Sequence, residues 1–347
     1  MSTVTIGSAG ATFATLALWE TNLAGSAGLK SEAIGLLHDI GSAHVGNTFT
    51  GIDTSAYRVS IRPATSAAFW NHVSAESNRL FYDPAYGVAI SGNPALDFTD
   101  MVVTVSGIML NSSGANTFAL RENASLAGGA HKFNNCIIEQ RGGLGLWTGN
   151  AFNNRVEYTN VVFIAHRANK ISSDWNYNSS VFTNCTFLNT SGSDGVTGIY
   201  ALFDPSDFRN CIFVGFVSSD VVGGTANIGG GNNISTLASA STRMISAKEF
   251  WGNATGSNEL VNITSAAYDA RILPNATLAI NNGCAAYAPS VDILNRTRVT
   301  PHDIGAWDAS ASFAPPPPPP PPPAASNVYP YNPLGNLVVD LGGLRYY

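Results

Sequence analysis

The sequence of 347 residues has few charged side chains, and this scarcity excludes several functional classes. Charged residues make up 12% of the chain, about half the share in most soluble proteins. The formal net charge is −6, and no cluster of lysine and arginine offers a surface for nucleic acid or an anionic membrane. No apolar run reaches the roughly 20 residues that span a bilayer. We therefore expect neither a nucleic acid nor a membrane partner.

The cysteines and the N-terminus lack two further patterns. The chain has four cysteines, and none lies in a C-x-x-C pair or in a Cys/His cluster of the kind that binds zinc. We predict no metal and no cofactor. The opening MSTVTIGSAG has no basic segment followed by an apolar core, which is the pattern of a secretory signal. We therefore expect synthesis in the cytoplasm of a host cell.

What the chain does have is one short motif in four copies. FNNCIIEQ, YTNVVFIA, FTNCTFLN and FRNCIFVG begin at positions 133, 158, 182 and 208. Their shared asparagines lie 25, 24 and 26 residues apart, at Asn135, Asn160, Asn184 and Asn210. A period of this length is typical of a solenoid, and the alternating apolar residues indicate strands with one buried face. Two further copies are predicted, with Asp100 and Asn233 at the asparagine position.

The repeat predicts an all-β fold, a parallel β-helix in which each rung stacks on the one before. Stacked strands lie about 4.8 Å apart, so equivalent residues form ladders, and we expect Phe187 to stack on Phe213. The asparagines are expected to form a structural ladder at a bend, where each amide bonds the backbone or the next asparagine. Near the N-terminus, apolar residues at helical spacing predict a helix that caps the first rung, namely Phe13, Leu16, Trp19 and Leu23.

Both ends of this region resemble right-handed parallel β-helix proteins of the pectin-lyase-like superfamily. TVTIGSAGATFATLALWE resembles their opening strand, glycine-rich turn and capping helix. Residues 266–283 and 292–308 resemble their closing rungs, although Asn275 stands near the place of the usual Ser-Pro pair. The resemblance implies the right-handed form of the fold, but no particular activity, because this fold hosts many. It implies a structural role for the matching residues, which are Asp269, Arg271, Leu273, Ile280, Gly283, Arg298, Asp303, Ile304, Gly305, Ala306 and Trp307.

The composition changes abruptly after residue 314. Nine consecutive prolines predict a polyproline II rod of about 28 Å, at about 3.1 Å per residue. We therefore predict a strand and capping helix at 1–25, a β-helix at 26–314, a linker at 315–323 and a docking tail at 324–347. The tail is aromatic and apolar, unlike a disordered segment, although a passive linker to an unstructured tail is the alternative. The residues predicted to dock a partner are Tyr329, Tyr331, Leu337, Val338, Val339, Leu341, Arg345, Tyr346 and Tyr347.

The repeat region supplies few of the groups that a polysaccharide-cleaving enzyme needs. Glycosidases use two carboxylates that face one groove, whereas Glu139 and Glu157 lie in successive repeats at different offsets. These residues favour a protein that is not an enzyme, although distant loops can assemble an acidic pair. Cations near the end of one rung and rings in the following loop are candidates for glycan contact, namely His166, Arg167, Trp175 and Tyr177, with a solvated turn as the alternative.

These features favour a structural protein on the surface of a tailed-phage particle, of the capsid-decoration or head-fibre type. The combination of a β-helix, a stiff spacer and a docking peptide resembles tail spikes and some decoration proteins, which are usually homotrimers. The expected partner of the tail is the major capsid protein or another virion protein, and a surface polysaccharide is the possible ligand. The alternative is a tail spike, or a lyase or hydrolase that degrades polysaccharide. A bacterial surface adhesin is a third interpretation.

Overall fold

A computed structural model describes much of the chain in separate segments. The described residues are 2–7, 10–25, 29, 31–40, 42–52, 54, 57–64, 80–99, 101–112, 119–123, 130–141, 147–148, 155–166, 171–173, 180–190, 197–201, 207–215, 219–222, 232–235, 250–251, 259–263 and 268–309. The chain divides into two units, Met1–Phe313 and Ala314–Tyr347. Every described residue belongs to the first unit, so the predicted linker and all of the predicted docking residues, Tyr329 to Tyr347, lie outside the described part.

The described segments form strands β1 to β24, one α-helix, α1, and a 3₁₀ turn at Pro84–Tyr86. The first elements are β1 Ser2–Ile6, α1 Leu16–Ala24, β2 Ala33–Leu37, β3 His44–Phe49, β4 Val59–Pro63, β5 Ala89–Thr99, β6 Val103–Ser106, β7 Met109–Ser112 and β8 Leu120–Asn123. The next are β9 Ala130–Asn134, β10 Ile137–Gln140, β11 Trp147–Thr148, β12 Arg155–Thr159, β13 Val162–Ala165, β14 Ile171–Ser173, β15 Ser180–Thr183 and β16 Thr186–Asn189. The last are β17 Thr197–Ala201, β18 Asp207–Arg209, β19 Ile212–Val214, β20 Ser219–Val222, β21 Ile234–Ser235, β22 Phe250–Trp251, β23 Leu260–Asn262 and β24 Asp269–Ile272.

Three parallel sheets run along the molecule. Sheet 1 has the order β1-β2-β4-β6-β9-β12-β15-β18, and sheet 2 the order β11-β8-β5-β7-β10-β13-β16-β19-β21-β22, with β3 also paired to β5. Sheet 3 has the order β14-β17-β20. In the repeats, the chain passes from a strand of sheet 1 to a strand of sheet 2, as from β9 to β10 and from β12 to β13, and strands of successive repeats pair within each sheet. This strand order is that of a parallel β-helix, and it confirms the predicted all-β fold.

The corner between sheet 1 and sheet 2 is where the repeated asparagine lies. Asn135, Asn160, Asn184 and Asn210 have φ between 50° and 55°, in the left-handed region. Asparagine tolerates this region better than most residues because its short polar side chain bonds the local backbone. The backbone N–H groups of Asn135, Asn160 and Asn184 also bond the next rung, as when Asn160 N–H donates to Thr183 O at 3.0 Å. The repeat therefore marks the turn between two sheets.

The register corrects both of the further copies predicted from the sequence. Ile137 pairs with Met109, so the residue aligned with Asn135 is Gly107, with φ of 69°, and not Asp100. Glycine adopts a positive φ without a steric cost, which explains why this corner has no asparagine. On the other side, Ile212 pairs with Ile234, so Asn232 aligns with Asn210. Asn233, placed in the ladder by sequence, instead occupies the position of the cysteine in the motif.

The N-terminal helix is shorter than predicted. It begins after Thr15, whose hydroxyl accepts a hydrogen bond from Leu18 N–H, so Phe13 precedes the helix and pairs with Ile6 as an isolated bridge. Trp19 is buried on the face that meets the first rungs, and its ring contacts Phe49 at 6.1 Å. Gly35 on β2 permits this approach, because a Cβ there would lie 2.5 Å from the indole.

Stacked rings fill the interior of the β-helix. In sheet 1, Phe182 lies between Tyr158 and Phe208, with ring centroids 4.9 and 4.8 Å away. In sheet 2, the ring centroids of Phe187 and Phe213 are 4.7 Å apart and the rings are nearly parallel, at 4°, so the two stack as predicted. Each rung thus offers its neighbour the same apolar surface, and the spacing equals that of the strands.

The C-terminal strap, defined here as residues 268–309, was expected to form closing rungs and does not. Apart from β24, which pairs antiparallel with β23, the strap forms turns. Its apolar side chains, among them Ile272, Ile293 and Ile304, pack on outward-facing residues of sheet 2 such as Ile164 and Leu188. The middle of sheet 2 is therefore buried on both faces, which explains why every residue of β13 and β19 is both apolar and buried. No helix of the described residues is long and apolar enough to cross a membrane.

We expect His131 to make the fold sensitive to acid. Its side chain is fully buried on β9, and burial, with a smaller repulsion from Arg58, lowers its pKa from 6.5 to about 4. The unfolded chain binds a proton between these values and the folded chain does not, so stability falls as the pH drops from 6.5 towards 4. The loss is about 3 kcal/mol. Chemical denaturation at several pH values should show a flatter profile for His131→Gln than for the wild type, and equal slopes would contradict this assignment.

The four cysteines should differ sharply in reactivity. Burial raises the pKa of Cys136 to about 12 and that of Cys185 well above its usual range, and Cys211 is also fully buried. Since the thiolate is the reactive form, these thiols should resist alkylation in the folded protein. Cys284, which is partly exposed, should react. Mass spectrometry after iodoacetamide treatment should show one labelled cysteine in buffer and four in denaturant. Labelling of the interior thiols at the rate of Cys284 would mean that the rungs open readily.

Candidate functional site

A row of polar residues interrupts the apolar outward face of sheet 2. Ser91, Asn111 and Glu139 are in register on β5, β7 and β10. On the next two strands, β13 and β16, the same position is occupied by Ile164 and Leu188. Glu139 is therefore the last polar residue of the row, at the boundary with the apolar surface covered by the strap.

The Glu139 carboxylate is fully buried and has hydrogen-bond partners from four parts of the chain. Asn111 Nδ2 donates to Oε2 at 3.1 Å. Around Oε1 lie Arg141 Nε at 3.0 Å, the Tyr268 hydroxyl at 3.0 Å and His166 Nε2 at 2.5 Å. These partners offset the cost of removing a carboxylate from water. We call Glu139 and these partners the Glu139 centre.

His166 connects this carboxylate to the next rung. Its Nδ1 lies 2.8 Å from the Thr190 hydroxyl, which is also 3.3 Å from Ala165 O. Because Gln140 pairs with Ala165 and Ala165 with Asn189, the residues that follow them form a second row. Arg141, His166 and Thr190 make up this row, directly after β10, β13 and β16.

Arg141 is the member of the Glu139 centre that reaches solvent, with a side chain 55% exposed. Partial burial disfavours its charge, but the attraction to Glu139 outweighs this, and the pKa of Arg141 is raised. Only its Nε is bonded to Glu139. Its Nη1 and Nη2 donate to no protein atom of the described residues, so the end of the guanidinium faces outward.

Two tyrosines close the inner side of the centre. The Tyr268 hydroxyl, besides donating to Glu139, accepts from Tyr82 N–H at 3.0 Å. Burial, reinforced by the Glu139 charge, raises the pKa of Tyr82 to about 12 and also raises that of Tyr268. Both hydroxyls therefore keep their protons. The Phe81 ring lies 6.4 Å from Tyr268 and 5.9 Å from Tyr86, and Phe81 and Tyr86 are both partly exposed.

The Glu139 centre holds a buried carboxylate in place and directs the Arg141 guanidinium outward. Both oxygens of Glu139 are occupied by donors, which leaves the carboxylate poorly placed to take a proton from a substrate. Arg141 presents a planar fork whose geometry matches a carboxylate or phosphate. Among the described residues, no group of three or more His, Cys, Asp or Glu side chains is placed to hold a metal ion.

The ladder asparagines join the β-helix to the strap. Asn135 Nδ2 donates to Asp292 O at 3.0 Å. Asn160 Nδ2 donates to Val291 O at 2.8 Å and to Asn135 Oδ1 at 3.1 Å. The first two corners thus bind one another and one stretch of the strap.

The second pair of corners binds other strap residues. Asn184 Nδ2 lies 3.1 Å from Asp303 O and 3.2 Å from Gly305 O. Asn210 Nδ2 donates to Asn184 Oδ1 at 3.2 Å and to Cys284 O at 3.0 Å, while Cys284 N–H donates back to Asn210 Oδ1 at 2.8 Å. The same amides therefore stack the rungs and fix the strap.

Arg298 is the cation at the middle of this junction, and its side chain is fully buried. Its Nη2 donates to Asn160 Oδ1 at 3.1 Å, Gly305 O at 2.8 Å and Ala306 O at 3.0 Å. Burial lowers the pKa of Arg298, and nearby carboxylates, including Asp308 at 3.7 Å, partly oppose this. Because its charge is paired and its nitrogens are bonded, Arg298 ties the strap to an asparagine corner.

The structure describes one of the four predicted glycan contacts. His166 lies in the Glu139 centre, turned towards the carboxylate, with 14% of its side chain exposed. Arg167, Trp175 and Tyr177 lie outside the described residues.

Sequence reasoning considered Glu139 only as a partner for Glu157 and missed its surroundings. Glu157 is on sheet 1, paired with Lys132 at 3.1 Å. Tyr268 is 129 residues from Glu139, so no local spacing connects them. One signal was present: Glu139 is an acid where the later repeats have Ile164 and other apolar residues.

Comparisons with known proteins add little beyond the fold. No protein-family model and no curated protein sequence matches the chain. Among solved structures, the chain is similar to the pectin methylesterase of Aspergillus niger in its deglycosylated form. The identity is 14%, the match covers 67% of this chain and 83% of that one, and the TM-score is 0.40. At this similarity, the assignment of a parallel β-helix depends on the strand pairing itself.

Substitutions of Asn184 should separate its two contributions. Asn184→Gly keeps a backbone that tolerates the positive φ of 50° but removes the amide, and we expect a loss of about 2 kcal/mol. Asn184→Ala should lose about 1 kcal/mol more, because a Cβ is strained in the left-handed region. Denaturant unfolding of the wild type and both variants checks this order. Greater stability of the alanine variant, the usual result elsewhere in a protein, would contradict it.

Proposed function

We propose that this protein is a structural component of the surface of a tailed-phage virion, of the capsid-decoration or head-fibre type. The observation that supports a mechanical role best is the bonding of the strap to the rungs. Asparagine corners, the buried Arg298 and the Glu139 centre connect strap and β-helix through polar side chains. A solenoid bound along its side in this way resists bending and unravelling, which suits a projecting element.

The attachment in this proposal is made by the tail. The polyproline segment at 315–323 would hold the β-helix away from the shell, and the tail at 324–347 would bind the major capsid protein or another virion protein. A homotrimer is part of the same proposal, by analogy with phage proteins of this architecture. The projecting β-helix would bind glycans of the host or its surroundings.

The carboxylates of the rungs favour binding over cleavage. Hydrolysis of a glycosidic bond needs an acid and a second carboxylate on either side of one bond. On the described strands, Glu139 is buried within its centre, and Glu157 and Asp207 are paired with Lys132 and Arg209. Asp97 is buried and accepts from the Thr48 hydroxyl at 3.2 Å, and Asp269 accepts from Arg271 Nε at 2.9 Å. Each of these acids is occupied by an internal partner.

Removal of residues 315–347 tests the tail. We expect the truncated chain to keep the unfolding midpoint of the full chain, because the strap that covers sheet 2 ends before the deletion. In contrast, it should fail to bind purified particles that lack the protein. Quantitative mass spectrometry of the sedimented particles, relative to the major shell protein, measures the bound copies.

The matched control replaces the nine prolines by a glycine-serine segment of equal length, which keeps the tail and should keep binding. Hundreds of copies per particle of the full chain support a decoration protein, whereas a few to a few tens support a tail spike or fibre. If the full chain did not bind the particles, the virion proposal would be wrong.

A further inference from the structure

We infer that the surface around Arg141 is a binding site for a carboxylate-bearing saccharide. This inference rests on the glycan binding in the proposed function and names the chemical class of the ligand. It depends on the outward guanidinium, on the buried groups that orient it and on two partly exposed rings beside the Glu139 centre.

The guanidinium of Arg141 is oriented by one hydrogen bond, and its other donors are available to a ligand. Its Nε is 3.0 Å from Glu139 Oε1, while its Nη1 and Nη2 have no protein partner among the described residues and the side chain is 55% exposed. Two parallel N–H groups on one planar edge match the two oxygens of a carboxylate. A neutral sugar hydroxyl would satisfy only part of this edge.

Groups that need no ligand hold the orienting carboxylate in place. Asn111 and Tyr268 bond Glu139 from two sides, and Glu139 has no exposed surface. The carboxylate therefore cannot swing out with the arginine, and Arg141 keeps its direction through Nε. A cation fixed before binding loses less entropy when a ligand arrives than a free surface arginine does.

Rings beside the centre offer a surface for the sugar itself. Phe81 contacts both Tyr268 and Tyr86, at 6.4 and 5.9 Å, and Phe81 and Tyr86 are partly exposed. The apolar C–H face of a pyranose packs on such rings, while its polar groups bond charged side chains.

The test measures binding of paired oligosaccharides to the full chain by calorimetry. The probes are oligomers of mannuronate, galacturonate and glucuronate, each beside the same oligomer with its carboxyl groups reduced to hydroxymethyl. We expect at least one acidic oligomer to bind about tenfold or more tightly than its reduced form, and its affinity to fall with added salt.

Three variants then assign the site. Arg141→Gln should lower the affinity for the acidic probe about 10- to 100-fold and leave the affinity for the reduced probe unchanged. Arg141→Lys keeps the charge but not the fork, and should give an intermediate loss. Lys132→Gln is the matched control, because Lys132 is also a partly exposed cation paired with a glutamate, at 3.1 Å. It should change the affinity by less than about twofold.

Several results would overturn the inference. Equal losses of affinity in Arg141→Gln and Lys132→Gln would show a general effect of charge. Equal affinity for the acidic and reduced probes would show that the site does not recognise a carboxylate. Absence of binding by every acidic probe would also reject it. The number of copies on particles is measured separately, so a virion protein that binds no acidic glycan and an acidic-glycan binder that is absent from virions give different results.

Discussion

The left-handed corner between sheets 1 and 2 is the constraint on which the remaining structure depends. Only two residues separate a strand of sheet 1 from the following strand of sheet 2, as between β9 and β10. A positive φ at the first of these residues turns the chain from one sheet into the other. Asparagine satisfies that backbone and also carries an amide with two donors and an acceptor. In Asn160 the same amide bonds the corner below, the strap and Arg298. A residue chosen for backbone geometry thereby determines where the C-terminal segment lies.

The strap follows from a second constraint, the apolar outward face of sheet 2. Strands such as β13, with all four residues buried, need an apolar cover on both sides. The interior supplies one cover and the strap supplies the other. Polar groups lie at two places where the strap meets sheet 2. Arg298 lies at the asparagine corners, and the Glu139 centre lies where the polar row of the outward face ends. Apolar burial provides the area, and the polar groups define the position, since an unpaired buried charge would be costly.

In the part of the rungs that the structure describes, the acids therefore have internal partners. Glu139, Glu157 and Asp207 all have internal cationic partners, which suits a rigid element better than a hydrolytic groove. Arg141 is different because its partner is buried while its own end faces solvent. The same centre that stabilises the strap thus provides an oriented cation at the surface, which connects the architecture to the proposed ligand.

The sequence by itself determined the parallel β-helix, because each rung must offer its neighbour the same surface and the motif therefore recurs in the chain. Four corners and the stack of Phe187 on Phe213 followed from that period. Local pattern failed where a different residue meets the same requirement, as Gly107 does at the corner aligned with Asn135. Only the tertiary structure decided the path of the strap, the burial of Arg298 and the meeting of Glu139 with Tyr268. The bonds of Arg298 to Asn160 and of Tyr268 to Glu139 join residues more than a hundred positions apart, and no periodic signal encodes them.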